Sequence, residues 1–331
     1  MIDLSTTYMG FKLRNPIIAG SSGLTDSVDK ITELEKHGAS AVVLRSIFEE
    51  EILLEMNSKQ KQMNSNGFVY PETVNDYAYY EDIEEETTYK YLKLIREVKS
   101  NVRIPVFASI NCVGSANWTC FSKQIEDAGA DAIELNLFIL PTDFSHSSSE
   151  NEQVYFNIVA EVQKQISIPV SVKISYYFSN LGKLIQDISK SGAKGIVLFN
   201  RYYSPDIDIE KMEINSGFIL SSPSDMAISL RWIAIMSGRV NCDLIASTGV
   251  HHGKDVIKQL LAGAKAVQVA STLYTNGPQQ IGLMLEELKI WMVSKKLESI
   301  NDFKGKLSQK NIKNPAAYER IQFMKYFRAF K

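Results

Sequence analysis

The chain has 331 residues, 45% of them apolar, and a formal charge of −2. That length and apolar content suffice for one large core, and a balance without basic excess argues against a nucleic-acid partner. No apolar run approaches the length of a membrane span and no signal-peptide pattern opens the sequence, so a cytoplasmic protein without membrane contact is expected.

Residues 1–15 read as a short hairpin of the kind that plugs the bottom of a barrel. The first strand is Asn15-Pro16-Ile17-Ile18-Ala19, opened by a proline where no ladder donor is needed. A helix over 26–37 follows. Gly38-Ala39 then runs into the apolar stretch Ala41–Leu44, which stops at Arg45. An excursion over 46–85 carries Asn64-Ser65-Asn66-Gly67-Phe68 and four tyrosines, Tyr70, Tyr77, Tyr79 and Tyr80. After a helix over 86–100 comes Ile104-Pro105-Val106-Phe107-Ala108-Ser109, then a helix over 117–128. Gly129-Ala130 leads into Ala132-Ile133-Glu134-Leu135, ending at Asn136. A helix over 151–167 precedes Ile168-Pro169-Val170-Ser171-Val172-Lys173. Another over 180–191 precedes Gly192-Ala193 and the run Gly195–Phe199, ending at Asn200. A second excursion, 200–224, holds Arg201-Tyr202-Tyr203. Helices over 225–238, 253–263 and 277–296 frame the strand Leu244–Gly249 and the run Ala266–Val269, which follows Gly263-Ala264 and ends at Ala270-Ser271.

Four copies of helix, Gly-Ala turn and buried strand, alternating with four further strands, predict parallel strands with helical crossovers. Eight such units in one domain over 1–331 predict a TIM (β/α)8 barrel, an α/β fold, with an N-terminal hairpin and long loops after strands two, four and six. A doubly wound sheet is disfavoured, because no Gly-rich dinucleotide turn follows the first strand. Chemistry in a barrel gathers at the C-terminal strand ends, so Arg45, Asn136, Lys173, Asn200, Thr248-Gly249 and Ala270-Ser271 are the residues to read. The cysteines at 112, 120 and 242 and the histidines at 37, 146, 251 and 252 lack metal-ligand spacing, so no metal is expected.

Asn136, Lys173 and Asn200, with Ser247-Thr248-Gly249-Val250 and Gln268-Val269-Ala270-Ser271-Thr272-Leu273, resemble the flavin and substrate positions of the dihydroorotate dehydrogenases. So do the opening Asn15–Gly23 and the tail Leu297–Gly305. The resemblance spans nearly the whole chain and is nearest to the soluble first class, which implies FMN, a homodimer and oxidation of dihydroorotate in pyrimidine biosynthesis. It assigns Thr248, Gly249, Val250, Ala270 and Ser271 to the FMN phosphate, and Ala19, Gly20 and Ser21 to close approach of the flavin ring. Lys173 would stabilise the reduced, anionic ring and act in catalysis. Asn136 and Asn200 would bind substrate through their amides, Asn136 also touching the cofactor, and Asn64 matches the family's substrate loop. Arg45 stands where the family carries a flavin-side lysine after strand two, and Ser46 beside it is also assigned to the cofactor.

The strand-four loop departs from the family. Where the family reads Asn-Leu-Ser-Cys-Pro-Asn, or a serine variant, this chain reads Asn136-Leu137-Phe138-Ile139-Leu140-Pro141. Ile139 occupies the position of the base and cannot accept a proton. Substitutes on the same loop are Thr142, Ser145 and the Ser147–Ser149 run, ahead of Cys112 after strand three. Two other readings stay open: a flavin-binding barrel without dehydrogenase chemistry, and a flavin-free lyase or isomerase using Lys173 as a Schiff-base amine.

Overall fold

The computed structural model describes residues 2–48, 76–111, 118–137, 139–201, 205–217 and 219–319, without the side chains of 76–86, 118–120 and 216. Asn64, Tyr70, Phe138, Cys112, Tyr202 and Tyr203 lie outside the described residues, as do the side chains of Tyr77, Tyr79, Tyr80 and Cys120.

Eight strands close into a parallel barrel: β3 (Ile17–Ala19), β4 (Ala41–Val43), β6 (Val106–Asn111), β7 (Ala132–Asn136), β8 (Val170–Ile174), β9 (Gly195–Leu198), β12 (Asp243–Ser247) and β13 (Ala266–Val269). They pair in that order, and β13 pairs with β3 to complete the ring. A two-residue strand, β5 (Ile47–Phe48), extends the far end of β6. The expected (β/α)8 architecture is therefore the one observed. Around the barrel lie α1 (Val28–Lys36), α2 (Asp76–Asn101), α3 (Trp118–Asp127), α4 (Ser148–Gln165), α5 (Leu181–Lys190), α6 (Met226–Met236), α7 (Gly253–Ala262), α8 (Ser271–Asn276) and α9 (Gln280–Ser294).

The repeated Gly-Ala turns work as the sequence suggests. Gly263 ends α7 at φ 118°, a left-handed cap, and its N–H bonds back to Gln259 and Leu260. Gly38, Gly129 and Gly192 also have positive φ at the corresponding turns. Two helices begin earlier than expected. No Gly or Pro interrupts 76–101, and the acidic residues from Asp76 suit a helix N-terminus, so α2 runs on through the tyrosine-rich piece. α4 starts at Ser148 because Ser147 and Glu150 form a reciprocal capping box.

The N-terminal hairpin, β1 (Thr6–Tyr8) with β2 (Phe11–Leu13), closes the barrel floor. Tyr8, Met9 and Leu13 pack against the inward residues Ile18, Val43, Phe107, Ala132, Val197 and Ile245 as one apolar cluster. Tyr8 is fully buried, and a Cβ added at Gly195 would lie 2.6 Å from its ring. The small residue at the start of β9 thus leaves room for the plug. After β9, the strand-six excursion forms a hairpin of β10 (Pro205–Asp208) and β11 (Glu213–Ser216), which the sequence reading had not resolved.

Candidate active site

Above the apolar floor the barrel lining turns polar. Side chains two apart on a strand share a face, so Glu134 and Asn136 rise up the same wall of β7 as Ala132, which belongs to the floor. On β8, Ser171 aligns with Glu134 and Lys173 with Asn136. From across the barrel, Gln268 of β13 donates through Nε2 to Glu134 Oε2 at 2.5 Å, and its Oε1 accepts from Lys173 Nζ at 3.3 Å. Lys173 Nζ also stands 3.8 Å from Glu134 Oε1. Glu134 is 1% exposed, and its Oε1 has no hydrogen-bond partner among the described residues. Burial pushes the Glu134 carboxyl up; the Lys173 ammonium and the Gln268 amide pull the other way without prevailing. Lys173 is thus ion-paired, to a carboxylate on the neighbouring strand rather than on a helix.

The three residues singled out on strands four, five and six come together at the mouth. Asn200 Nδ2 donates to Asn136 Oδ1 at 2.5 Å, and Asn136 lies beside Lys173. The Asn200 side chain is steadied from behind, because its Oδ1 accepts the Arg201 N–H at 2.8 Å. Its own N–H bonds to Ile174 O. On the opposite side a chain of hydroxyls links Ser109, Ser46 and Ser21. Ser46 Oγ is 2.7 Å from Ser109 Oγ and 3.1 Å from Ser21 Oγ. Ala19 ends β3 fully buried. Gly20 N–H bonds to Val269 O, and a Cβ there would meet the Gln268 side chain at 3.4 Å. Arg45 is exposed and lines a cleft with Asp26, Ser46, Thr87 and Lys90.

The turn after strand seven carries backbone strain. Thr248 has φ 75°, an outlier for a β-branched residue, and its Oγ1 donates to Phe199 O at 3.1 Å. At Gly249, φ is 76° and a Cβ would lie 2.2 Å from Met226 N, so no larger residue fits. Val250 is buried, and Ala270 and Ser271 open α8. Ser221, which the sequence reading passed over, joins the two turns. It accepts from Gly249 N–H at 3.2 Å and donates its own N–H to Ser271 Oγ at 2.9 Å.

The strand-four loop keeps a half-buried Ile139, whose N–H bonds to Tyr155 OH at 3.3 Å. Thr142 sits on the exposed stretch that follows. The serines downstream are engaged elsewhere: Ser145 bonds to Asp143, Ser147 caps α4, and Ser148 and Ser149 begin that helix. Glu134 was missed as a site residue, and Gln268 was read only as part of the barrel-end segment, without a role of its own. The signal for both was a polar side chain at an inward position of a largely apolar strand.

Comparison with known proteins supplies the family. The model for the family "Dihydroorotate dehydrogenase" matches residues 3–292. A "Dihydroorotate dehydrogenase B (NAD(+)), catalytic subunit" from Thermoplasma volcanium is 27% identical over 316 residues, covering 92% of this chain and 98% of that protein. The protein of the same name from Thermoplasma acidophilum is also 27% identical, covering 92% and 99%. That from Methanothermobacter thermautotrophicus is 22% identical, covering 91% and 97%. With its closed barrel and a match along nearly its whole length, this chain belongs to the dihydroorotate dehydrogenase family.

Proposed function

We propose that the chain binds FMN across the mouth of its barrel and oxidises a carbon–carbon bond in a small planar ring substrate, with dihydroorotate the first candidate. The observation that carries this reading is the convergence of Asn136, Lys173 and Asn200 above the buried Glu134–Gln268 pair. The family is flavin-dependent, and the donor set fits that group. Gly20 leaves the backbone open beside Gln268, while the Ser221 and Ser271 hydroxyls at the two turns offer donors suited to a phosphate. Ala19, Gly20, Ser21, Ser46, Asn136 and Lys173 would hold the ring; Thr248, Gly249, Val250, Ala270 and Ser271 would hold the phosphate. Arg45 and Asn64 are carried only by the resemblance.

When bound, FMN supplies the two-electron acceptor. Lys173 places positive charge where negative charge develops on reduction. Asn136 and Asn200, already bonded to each other, present a preset pair of amides to an imide or carboxylate edge. Ile139 holds no proton acceptor, and Thr142, the hydroxyl on the same loop, is the first candidate to test as a substitute. The ion pair with Glu134 weakens the Schiff-base reading, which needs a free amine at Lys173. Ile139 favours a second reading, a flavin-binding subunit without dehydrogenase activity.

A partner is part of the proposal, because the relatives are named catalytic subunits. A second copy of the chain is another part. Ile207 and Ile214, paired across the β10–β11 hairpin, are 64% and 80% exposed, and Met212 is 88% exposed. Among the described residues no helix is long and apolar enough to cross a membrane, and a cytoplasmic location belongs to the same reading. The test is the purified protein itself. It should be yellow with one FMN per chain, and the flavin band should bleach on anaerobic addition of dihydroorotate or a related ring. A colourless protein that takes up no added FMN ends the proposal. Bound flavin that dithionite bleaches and no ring substrate does selects the second reading.

A further inference from the structure

Ser221 stands where the two proposed phosphate turns meet, and behind it stands His251. The Nε2 of His251 is 3.4 Å from Ser221 Oγ. His251 is 8% exposed, and burial lowers the pKa of its imidazole. Its position is fixed by its backbone. Asp255 Oδ2 accepts its N–H at 3.2 Å, and its carbonyl accepts from Thr272 Oγ1 at 3.2 Å and from Gln280 Nε2 at 2.9 Å. Three helices, α7, α8 and α9, thereby hold the backbone of one loop residue, and burial of its side chain keeps the ring beside Ser221. A leucine would fill the space without placing a polar ring nitrogen in it. A buried imidazole beside a half-buried hydroxyl that sits on a backbone N–H makes an ordered donor set.

We propose that Ser221 and His251 read the terminal phosphate of the flavin, Ser221 as a direct donor and His251 as its positioning residue. This rests on the FMN reading above. Ser221 Oγ accepts the Gly249 N–H and has one proton of its own to give. With Nε2–H of His251 donating to Ser221 Oγ, that proton points away from the imidazole and toward a phosphate oxygen. The hydroxyl would then act on the anion, and hydrogen bonds to a charged acceptor are the strong ones. The pair distinguishes a phosphate monoester from the same flavin without its phosphate.

The experiment compares FMN with riboflavin on the full chain, by quenching of flavin fluorescence. In the unaltered protein FMN should bind at least ~100-fold more tightly than riboflavin. Ser221→Ala should lower FMN affinity about 10-fold and leave riboflavin affinity within about twofold. His251→Leu should lower FMN affinity several-fold in the same selective way, while His251→Gln, which keeps a side-chain N–H, and Ser221→Thr should retain most of it. An FMN-to-riboflavin ratio that neither Ser221→Ala nor His251→Leu moves would overturn the proposal. So would an equal fall for both flavins, since that marks a purely structural role. If the unaltered chain binds neither flavin, the FMN reading itself fails and this one falls with it.

Discussion

Lys173→Met separates the charge at the barrel mouth from the packing around it. Methionine keeps most of the stem volume and removes the ammonium. Glu134, 1% exposed, is then left with Gln268 as its polar partner. At the observed 3.8 Å and an effective dielectric of about 20, the lost attraction is about 4 kcal/mol before solvation is counted. The carboxyl escapes part of that cost by taking up a proton. Its pKa already lies above the ordinary value because of burial, and the variant removes the ammonium that opposed the shift. A carboxyl raised in the folded state contributes its stability fully below its unfolded pKa and loses it as pH rises through the folded one. The deficit of Lys173→Met should therefore be small near about pH 5 and reach about 1–3 kcal/mol by about pH 8. Denaturant titrations at both pH values measure it. Adding Glu134→Gln to the variant should recover most of the loss at the higher pH, because no charge remains to be buried. A deficit independent of pH, or a double variant no better than the single one, would refute the paired-charge account.

Gly195→Ala should destabilise the protein by about 1–3 kcal/mol, read as a lowered Tm, because the new methyl would lie 2.6 Å from the Tyr8 ring and hydroxyl. Tyr8→Phe removes a buried hydroxyl without a hydrogen-bond partner among the described residues, so it should leave stability unchanged or raise it slightly in the same melting assay. Dihydroorotate should reduce the flavin slowly, with a shortfall of about two to four orders of magnitude from the missing base. Ile139→Cys should raise the single-turnover rate at least tenfold; an unchanged rate would remove the strand-four loop from the proton transfer.

The barrel was legible because its punctuation is local. Gly38, Gly129, Gly192 and Gly263 each end a helix within one or two residues of a strand, and Pro16, Pro105 and Pro169 each open one. Asn136, Lys173 and Asn200 were legible for the same reason, since each lies within two residues of the end of a strand that could be read. The Glu134–Gln268 contact was not. The two residues are 134 positions apart, and alternation tells which face a side chain takes but not what faces it across the barrel. Ser221 was hidden because it sits in an excursion with no period of its own, joined to the turns by single hydrogen bonds. The β10–β11 hairpin escaped notice because its turn is made by Ile209–Met212, with the left-handed residue a methionine at φ 53° rather than a glycine or asparagine.

The apolar floor also shapes the field that the mouth presents. Tyr8, Leu13, Phe107 and their neighbours fill the lower barrel with material that polarises weakly, directly beneath Glu134 and Lys173. Field lines from that pair cannot spread downward into water and leave chiefly through the open end. The molecule as a whole carries a formal charge of −2 and offers a distant anion nothing. Beyond a screening length of about 8 Å at physiological salt an anionic ligand meets a mildly repellent net charge; inside it, the outward-facing positive end of the Lys173–Glu134 pair. Capture is thus a short-range event, decided at the rim rather than during approach.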